Sequence, residues 1–383
     1  VTPNLLLNLG VRFDKFHNKL ASGATFAEAD FSDMISPRLG FSWDMKGDGT
    51  TKLFGNAGRY YLPLTNKLTD YFGGGTTDEH TYYVFNGWSE QVDPITGNPY
   101  LAPILGAQIG PVNTDGNAPP PTDVRTAVAR DLEQVFQDEY ILGFQQAINQ
   151  TWSYGVNATY RKVTNAVEDT RINHSNCPGN WNFPIINPGE TNTLWCESTQ
   201  SWVDIDTSVD GYQASGSSMV TGYKKPRRTY KAVEFQLDRA WDDKWAFNAS
   251  YIWSKSEGNI EGPVNSDTGY ADTNLVQFYD HPAVNERYGV LFNDFRHQIK
   301  LRGSYKLNEM WSFGATVSTR SGGPITAFGT RWPNDNRGFG PGEFSGGGSG
   351  WLCVANCNSV NRQLVYTERG AYGRMPWVTD VGA

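Results

Sequence analysis

The sequence lacks any apolar run of the roughly 18 residues that a transmembrane helix requires. It is also poor in charged residues, at 19%, and in hydrophobic residues, at 38%. Ordinary globular domains have roughly 25% charged and 45–50% apolar residues. These shortages exclude a helical membrane protein and make an ordinary globular enzyme a poor fit.

Positive charge is scarce as well. The formal net charge is −8, and the longest basic cluster is the short segment from Lys224 to Arg228. Because phosphate backbones are bound by basic surfaces, we expect no nucleic-acid partner. We interpret the cluster as a charged strand entrance or loop edge.

Cysteine is limited to two local pairs, Cys177 with Cys196 and Cys353 with Cys357. Both pairs lie in sequence rich in Gly, Asn and Pro, and we predict disulfides formed in an oxidising compartment. A metal site is the alternative, but the CxxxC spacing of the second pair has no neighbouring His. We therefore expect no cofactor.

Aromatic residues and glycine are abundant, with 19 Tyr, 20 Phe, 13 Trp and 41 Gly. Apolar residues alternate with Ser, Thr, Asn, Gly, Arg and Lys over long runs such as 5–13, 152–160 and 297–307. Runs of roughly ten alternating residues are typical of tilted membrane strands. The pattern predicts an all-β protein with about ten strands, near 4–14, 36–44, 51–61, 135–148, 151–163, 228–239, 244–256, 295–307, 309–320 and after Arg369.

Short and long connections alternate strictly between these strands. The short turns follow Asp44, Ile148, Arg239 and Lys306, and the long connections span 15–35, 62–135, 164–227, 257–293 and 321–367. Outer-membrane barrels have short periplasmic turns and longer extracellular loops. The alternation therefore predicts an antiparallel transmembrane β-barrel whose long loops are extracellular.

Tryptophan marks the short-turn end of the predicted strands. Trp43 precedes a short turn, and Trp152, Trp245 and Trp311 each follow one. Indole and phenol rings favour the membrane–water interface. We predict two interface rows, a periplasmic row formed by these Trp residues and an opposite row formed by Tyr60, Tyr160, Tyr251 and Trp253. From Trp152 to Tyr160 the tilted strand rises roughly 20 Å.

Several segments together resemble TonB-dependent outer-membrane receptors, and the Oar-like branch most. The resemblance runs from Leu5 to Trp377 and rests on the order and spacing of its segments rather than on one motif. The segments are SPRLGFSWD at 36–44 with LFGNAGRYY at 53–61, DEY at 138–140, YIWSKSEGN at 251–259, DFRHQ at 294–298, SGGP at 321–324 and RGAYGRMPW at 369–377.

The resemblance implies a barrel of roughly 22 strands, closed by an N-terminal plug and driven by the inner-membrane TonB complex. On this basis we expect residues 1–383 to form a partial barrel domain, truncated at both ends and without a plug. The expected location is the bacterial outer membrane, with lipid as one partner. The expected function is uptake of a scarce or bulky ligand, such as a peptide or another organic nutrient, through a plugged barrel.

Other functions are compatible with parts of the same pattern. A passive porin or a surface adhesion or structural barrel has the same strands, and a soluble multi-sheet protein such as a propeller would need a blade repeat that is missing. We expect no enzyme, because neither Asp280–His281 nor Asp294 with His297 is accompanied by a nucleophile elbow or an HExxH helix.

The long connections 62–135 and 164–227 are the candidate ligand-contact surfaces. The first is acidic and aromatic. Its composition suits a cationic or peptide ligand or bound calcium, although a loop kept soluble by its charge is the simpler interpretation.

Overall fold

The computed structural model describes residues 2–20, 23–62, 64, 77–94, 97–116, 123–169, 172–174, 177–181, 184–209, 212–213, 220–260, 288–327, 351–357 and 363–382. These residues form strands, turns and loops, with one short 3-10 helix at Val124–Thr126. None of the helices in the described ranges is both long and apolar enough to cross a membrane.

The strands of the first half, in chain order, are β1 (Leu5–Phe13), β2 (Phe16–Lys19), β3 (Thr25–Ala29), β4 (Ile35–Asp44), β5 (Thr51–Leu62), β6 (Thr77–Val92), β7 (Pro99–Gly116), β8 (Val135–Ala147), β9 (Trp152–Val163), β10 (Glu168–Asp169), β11 (Ile172–His174), β12 (Cys177–Trp181) and β13 (Ile185–Ile186). The remaining strands are β14 (Thr191–Cys196), β15 (Ser201–Asp206), β16 (Tyr212–Gln213), β17 (Val220–Thr221), β18 (Arg228–Arg239), β19 (Trp245–Gly258), β20 (Gly289–Val290), β21 (His297–Lys306), β22 (Ser312–Arg320), β23 (Trp351–Ala355), β24 (Gln363–Tyr366) and β25 (Val378–Gly382).

One large antiparallel sheet contains the ten predicted strands. Its order is β1-β4-β5-β8-β9-β18-β19-β21-β22-β25, and the short β20 pairs with β19 beside this path. Each wall strand therefore lies beside the wall strand that precedes or follows it in the chain. The prediction of an all-β antiparallel wall of about ten strands is confirmed, with the last strand at Val378–Gly382.

The pairing of the wall strands is continuous, without register shifts in the ladders between β1 and β25. Because side chains alternate along a strand, this register sorts every side chain of the wall onto one of two faces. One face, here called the outer face, is apolar along the middle of its strands. It includes Leu7, Leu9, Leu39, Phe41, Leu142, Phe144, Val156, Val233, Phe235, Leu301, Val317 and Val381.

Three of the short turns share one local motif, in which Asn or Asp is followed three residues later by Trp. The Oδ1 of Asn149 accepts hydrogen bonds from the backbone N–H groups of Thr151 and Trp152, both at 2.9 Å. Asn308 does the same for Met310 and Trp311. These side chains satisfy turn N–H groups locally, which is why Asn and Asp favour such positions.

The fourth short turn, residues 45–50, relies on glycine and aspartate instead. Gly47 and Gly49 have φ values of 74° and 77°, a region that side chains other than glycine rarely adopt. The Asp44 carboxylate accepts hydrogen bonds from both glycine N–H groups, at 3.0 and 2.7 Å. The sequence of this turn therefore determines its conformation without help from the rest of the chain.

At the other end of the sheet, the long connections contain short hairpins that the sequence did not predict. Seven two-stranded ladders lie outside the large sheet in the described residues. The longest pairs β6 with β7, and it carries three register irregularities. The sequence analysis predicted these connections only as long loops and did not predict the strands within them.

Candidate functional site

The inner face of the wall is polar and carries charges of both signs. It includes Asn8, Arg38, Lys52, Gln137, Glu139, Arg161, Asp238, Asn248, Lys300, Arg302, Arg320 and Asp380. Glu139 and Arg161 face each other on β8 and β9 and form an ion pair. A concave region of about 830 Å³ near the short turns is lined in part by Asp238, Asn248 and Arg302. This face can bind polar solutes or the polar surface of another protein.

The outer face meets the short turns at a cluster of aromatic and cationic side chains. The rings of Trp152 and Trp245 contact each other edge to face, with centroids 5.8 Å apart. The Arg239 guanidinium lies 3.8 Å from the centroid of Trp245 and is ion-paired with Asp242 in the turn. Hydrogen bonding to Arg239 holds the pKa of the Asp242 carboxyl well below its usual range. The negative charge of Asp242 therefore balances the positive charge of Arg239 at the short-turn end of the wall.

A second aromatic row crosses the outer face toward the long connections. Phe235, Tyr251, His297 and Trp377 stack in sequence, with centroids separated by 6.4, 6.1 and 6.2 Å. The Tyr251 hydroxyl is 2.8 Å from Nδ1 of His297. Tyr140 and Tyr160 stack nearby at 6.2 Å. Between this row and the tryptophans, exposed aliphatic side chains such as Leu9, 75% exposed, fill the face.

The register places most of the predicted interface aromatics on the outer face, namely Trp43, Trp152, Trp245, Tyr160, Tyr251 and Trp253. Trp311 lies in the last short turn, where its backbone N–H donates to Asn308. Their role at a membrane interface stays a prediction.

Tyr60 is an exception and is corrected. It shares the inner face with Arg38, whose guanidinium lies 4.8 Å from its ring centroid. The outward neighbour is Tyr61, whose ring contacts Phe136 at 5.4 Å. With two adjacent tyrosines, only the strand register decides which one points outward.

Three long connections share one apolar core above the sheet. Phe26 from the first connection packs with Leu64, Val128, Val167 and Ile185 from the next two. A parallel bridge joins Val128 to Ile185. A second cluster, containing Ile172, Ile186, Leu194 and Ile205, extends this core. The described parts of the connections thus form an ordered layer, which we call the loop layer, and not independent loops.

Buried asparagines tie the loop layer to the ends of β8 and β9. The Asn187 amide donates to the carbonyl oxygens of Glu133 and Ala166, both at 2.9 Å, and its oxygen accepts from Glu133 N–H at 2.7 Å. Asn192 is also buried and donates to the carbonyl of Asn187 at 2.9 Å. Such side chains replace missing strand partners for buried backbone groups. The sequence analysis missed both of them.

The four cysteines are all disulfide-bonded in the structure. Cys177 at the start of β12 is joined to Cys196 at the end of β14, with Cα atoms 5.7 Å apart. Cys353 in β23 is joined to Cys357, with Cα atoms 5.6 Å apart. No cluster of His, Cys, Asp and Glu suited to a metal ion occurs among the residues that the structure describes.

Asp294 connects four segments at the long-connection end. Its buried carboxylate forms ion pairs with Arg296 and Arg374 and accepts from the Ser256 N–H at 2.6 Å. Arg374 also donates to the carbonyl oxygens of Asp294 at 2.6 Å and of Gly322 at 3.1 Å. This group, here called the Asp294 junction, fixes the connections around β21 and β22 to the segment before β25.

Of the acid–base pairs considered from the sequence, Asp294 and His297 are not brought together. Asp294 is ion-paired with two arginines. His297 instead contacts Tyr251 and Trp377 on the outer face. Asp280 and His281 lie outside the described residues. His297 is the first residue of β21 and lies on the same face as Ile299 and Leu301.

An antiparallel wall with an apolar outer face, a polar inner face and aromatic rows at both edges defines a transmembrane barrel wall. The model of a family described as "Outer membrane beta barrel domain" matches residues 15–340. The chain belongs to that family, and its place is the bacterial outer membrane.

One curated relative is the TonB-dependent transporter Oar of Myxococcus xanthus. It is 25% identical over 403 aligned positions, which cover 100% of this chain and 32% of that protein. The chain thus spans about a third of the relative's length. The similarity agrees with the expected resemblance to the Oar-like branch, and the relative itself is a transporter.

Two transporters of known structure also match the chain. The outer membrane transporter YddB from Escherichia coli has a TM-score of 0.46 at 13% identity, covering 99% of this chain and 36% of that one. The toluene transporter TodX from P. putida has a TM-score of 0.24 at 9% identity, covering 83% and 59%. Both TM-scores are low, and we draw nothing further from them.

Proposed function

We propose that this chain forms part of the barrel of a TonB-dependent transporter that takes up a scarce or bulky ligand across the outer membrane. The observation that carries the proposal is the combination of a polar inner face with an ordered loop layer at its extracellular end. A simple diffusion pore has no need for a loop layer with its own buried core, whereas a receptor needs a shaped surface for its ligand.

The proposed ligand-contact surface is the loop layer together with the upper inner face. In its cation–aromatic pairs the arginines are exposed: Arg125 lies over the buried ring of Trp195, at 3.6 Å, and Arg130 over the half-buried ring of Trp202, at 5.5 Å. Flat aromatic and guanidinium groups of this kind are enriched where proteins bind polar organic molecules. They suit a peptide or another organic nutrient better than a small inorganic ion.

The wall proposed here is part of a larger barrel. The similarity to Oar covers about a third of that transporter, and transporters of roughly 22 strands hold a plug in their lumen. The mixed-charge inner face, with Glu139, Asp238, Arg302 and Lys300, is suited to contact such a plug through exchangeable polar contacts. Energy from the inner-membrane TonB complex would then displace the plug.

The test uses the full-length protein that contains this chain. Planar bilayers in KCl measure whether the protein is closed, and co-elution with the periplasmic domain of TonB from the same organism measures coupling. We expect a closed barrel that binds TonB. A steady open conductance would instead establish a passive porin, and a closed barrel that ignores TonB would establish an adhesion or structural barrel.

A further inference from the structure

The longest hairpin of the long connections, β6 with β7, takes no part in the two apolar clusters of the loop layer. Among the residues that the structure describes, its two strands pair only with each other. Several large apolar side chains along it are more than half exposed, namely Tyr82, Phe85, Trp88, Val92, Leu101, Leu105 and Ile109. Exposed apolar surface of this extent is typical of interaction sites.

The backbone near the tip of this hairpin is regular. Residues 88–92 pair with residues 99–103 without a register shift. Just beyond them, the Asp93 N–H donates to the carbonyl oxygen of Asn98, at 3.0 Å. In an antiparallel ladder such hydrogen-bonded pairs alternate with pairs whose backbone groups point outward. Every second residue of β6 therefore directs its N–H and C=O groups away from β7, at Trp88, Glu90 and Val92.

The two edges of the hairpin differ in how they are protected. On β7, two of the residues at outward-pointing positions are Pro99 and Pro103, which have no N–H to offer to a further strand. β6 contains neither proline nor lysine, the residues with which proteins commonly block an exposed edge. Only the β6 edge near the tip is therefore open to a further strand.

The charge of the hairpin determines which partner suits this edge. No Lys or Arg occurs between positions 68 and 124. The hairpin carries only carboxylates, at Asp78, Glu79, Glu90, Asp93 and Asp115. Two such hairpins would repel each other, which disfavours a second copy of the chain on this edge. Charge complementarity favours a cationic partner instead.

We propose that the edge of β6 from Trp88 to Val92 binds an extended, cationic polypeptide segment, which joins the hairpin as a third strand. Backbone hydrogen bonds to the outward groups supply affinity, and alternate side chains supply selectivity. Since Trp88, Glu90 and Val92 share one face, the bound segment places apolar side chains beside Trp88 and Val92 and a Lys or Arg beside Glu90. This inference names the class of ligand, and it rests on the proposed function for the uptake that follows binding.

The test measures binding of fluorescent peptides to the full-length protein in detergent, by fluorescence anisotropy. The probe peptide has Val, Lys and Val at alternate positions with Thr between them, so that its Lys can lie beside Glu90. We expect saturable binding of this peptide. An analogue with Glu in place of Lys, and an analogue whose backbone nitrogens are methylated, should both fail to bind, because the first is repelled and the second cannot pair with an edge.

Two proline variants compare the two edges. Val92→Pro removes an outward N–H from β6, and we expect about tenfold weaker binding of the probe peptide. Leu101→Pro is the matched control, because it also replaces an exposed aliphatic residue at an outward position but lies on β7. It should bind the probe peptide as the unmodified protein does.

A charge-reversal variant, Glu90→Lys, guards against loss of binding through misfolding. It should bind the Glu analogue and reject the Lys peptide, a gain that a misfolded hairpin cannot produce. The proposal is overturned if the Lys peptide does not bind, if the methylated analogue binds equally well, if the proline variants behave alike, or if Glu90→Lys does not change the preference. A dimer that Val92→Pro dissociates would also overturn it, by assigning the edge to a second copy.

Failure of this inference and failure of the proposed function are distinguishable. Peptide binding is measured without TonB and without transport. A protein that binds the Lys peptide but conducts ions steadily, or ignores TonB, would refute the proposed transporter and leave the binding edge in place. A closed barrel that binds TonB but not the peptide would do the reverse.

Discussion

At the short-turn end of the wall, the contacts that shape each connection join residues that are close in the sequence. The Asn149 side chain, for example, accepts a hydrogen bond from the backbone N–H of Trp152, three positions later. At the opposite end, Asn187 bonds to Glu133 across 54 positions and Arg374 pairs with Asp294 across 80. The first end is therefore shaped by contacts that are local in the sequence. The contacts at the second end can form only after the wall strands have paired and brought the distant segments together.

The largest expected effect comes from the Asp294 junction. Asp294→Ala leaves Arg296 and Arg374 without their shared carboxylate and the Ser256 N–H without its acceptor. Removing one partner of a buried ion pair costs about 3–5 kcal/mol. Hydrogen exchange should show residues 288–296 and 367–377 losing protection, while β9 and β18 keep theirs.

A matched control is Asp48→Ala, which removes an exposed carboxylate from the first short turn. The Asp48 carboxylate accepts a hydrogen bond from the Thr50 hydroxyl, which holds the pKa of Asp48 below its usual value. The carboxylate is fully exposed to solvent. We expect no loss of protection outside residues 45–50. Equal losses in the two variants would contradict the contrast between the ends.

A smaller effect is expected from the first disulfide. Replacing Cys177 and Cys196 by Ser removes a disulfide between positions 19 residues apart. Such a disulfide stabilises the folded state by about 2–4 kcal/mol. Limited proteolysis read by mass spectrometry should show faster cleavage within residues 177–209. The heat-dependent gel mobility of the barrel should not change, since the wall does not depend on this link.

The second disulfide provides the comparison for the first. Cys353 and Cys357 are only four positions apart, so their link constrains the unfolded chain less. Replacing them by Ser should accelerate local cleavage less than the first pair does. If both replacements accelerated cleavage equally, loop closure would not explain the stability of the loop layer.

Asn187→Ala is expected to have an intermediate effect. It leaves the part-buried backbone groups of Glu133 and the buried carbonyl of Ala166 without this partner, at a cost of about 1–3 kcal/mol. We expect exchange protection to fall at residues 128–134 and 165–167. Asn187→Asp, which retains the acceptor for the Glu133 N–H but loses the donor, should preserve part of it. Unchanged protection in the Ala variant would show that the amide does not hold the loop layer to β8.

The smallest effect is expected at the short turns. Asn308→Ala removes the acceptor for the N–H groups of Met310 and Trp311, both exposed to solvent. Water replaces the lost partner, and the cost should be near the lower end of about 0.5–1.5 kcal/mol. Urea unfolding followed by tryptophan fluorescence measures it, and Asn149→Ala should give the same value. A cost equal to that of Asn187→Ala would remove the distinction between the ends.

The same distinction explains what could be predicted from the sequence. The ten wall strands and their short turns were predictable because period-two alternation and turn residues are local signals. Repetition of Asn or Asp three positions before Trp was a further local signal, visible at Asn149, Asp242 and Asn308. The positions of the tryptophans alone do not show this signal, because it lies in their spacing from the preceding Asn or Asp.

The rest depended on contacts between distant segments. The bridge from Val128 to Ile185 and the Asp294 junction have no periodicity in the sequence. The misplacement of Tyr60 has a related cause, because Tyr60 and Tyr61 differ only in register.

The four short turns also bear on how the wall assembles. Strands joined by a short turn close a small loop, so pairs such as β8–β9 and β21–β22 have low contact order and form early. Pairing β5 with β8 must close the whole connection between Leu62 and Val135, with a larger entropic cost. We expect hairpins to act as the kinetic units of folding, and the loop layer to order last, after neighbouring hairpins have joined.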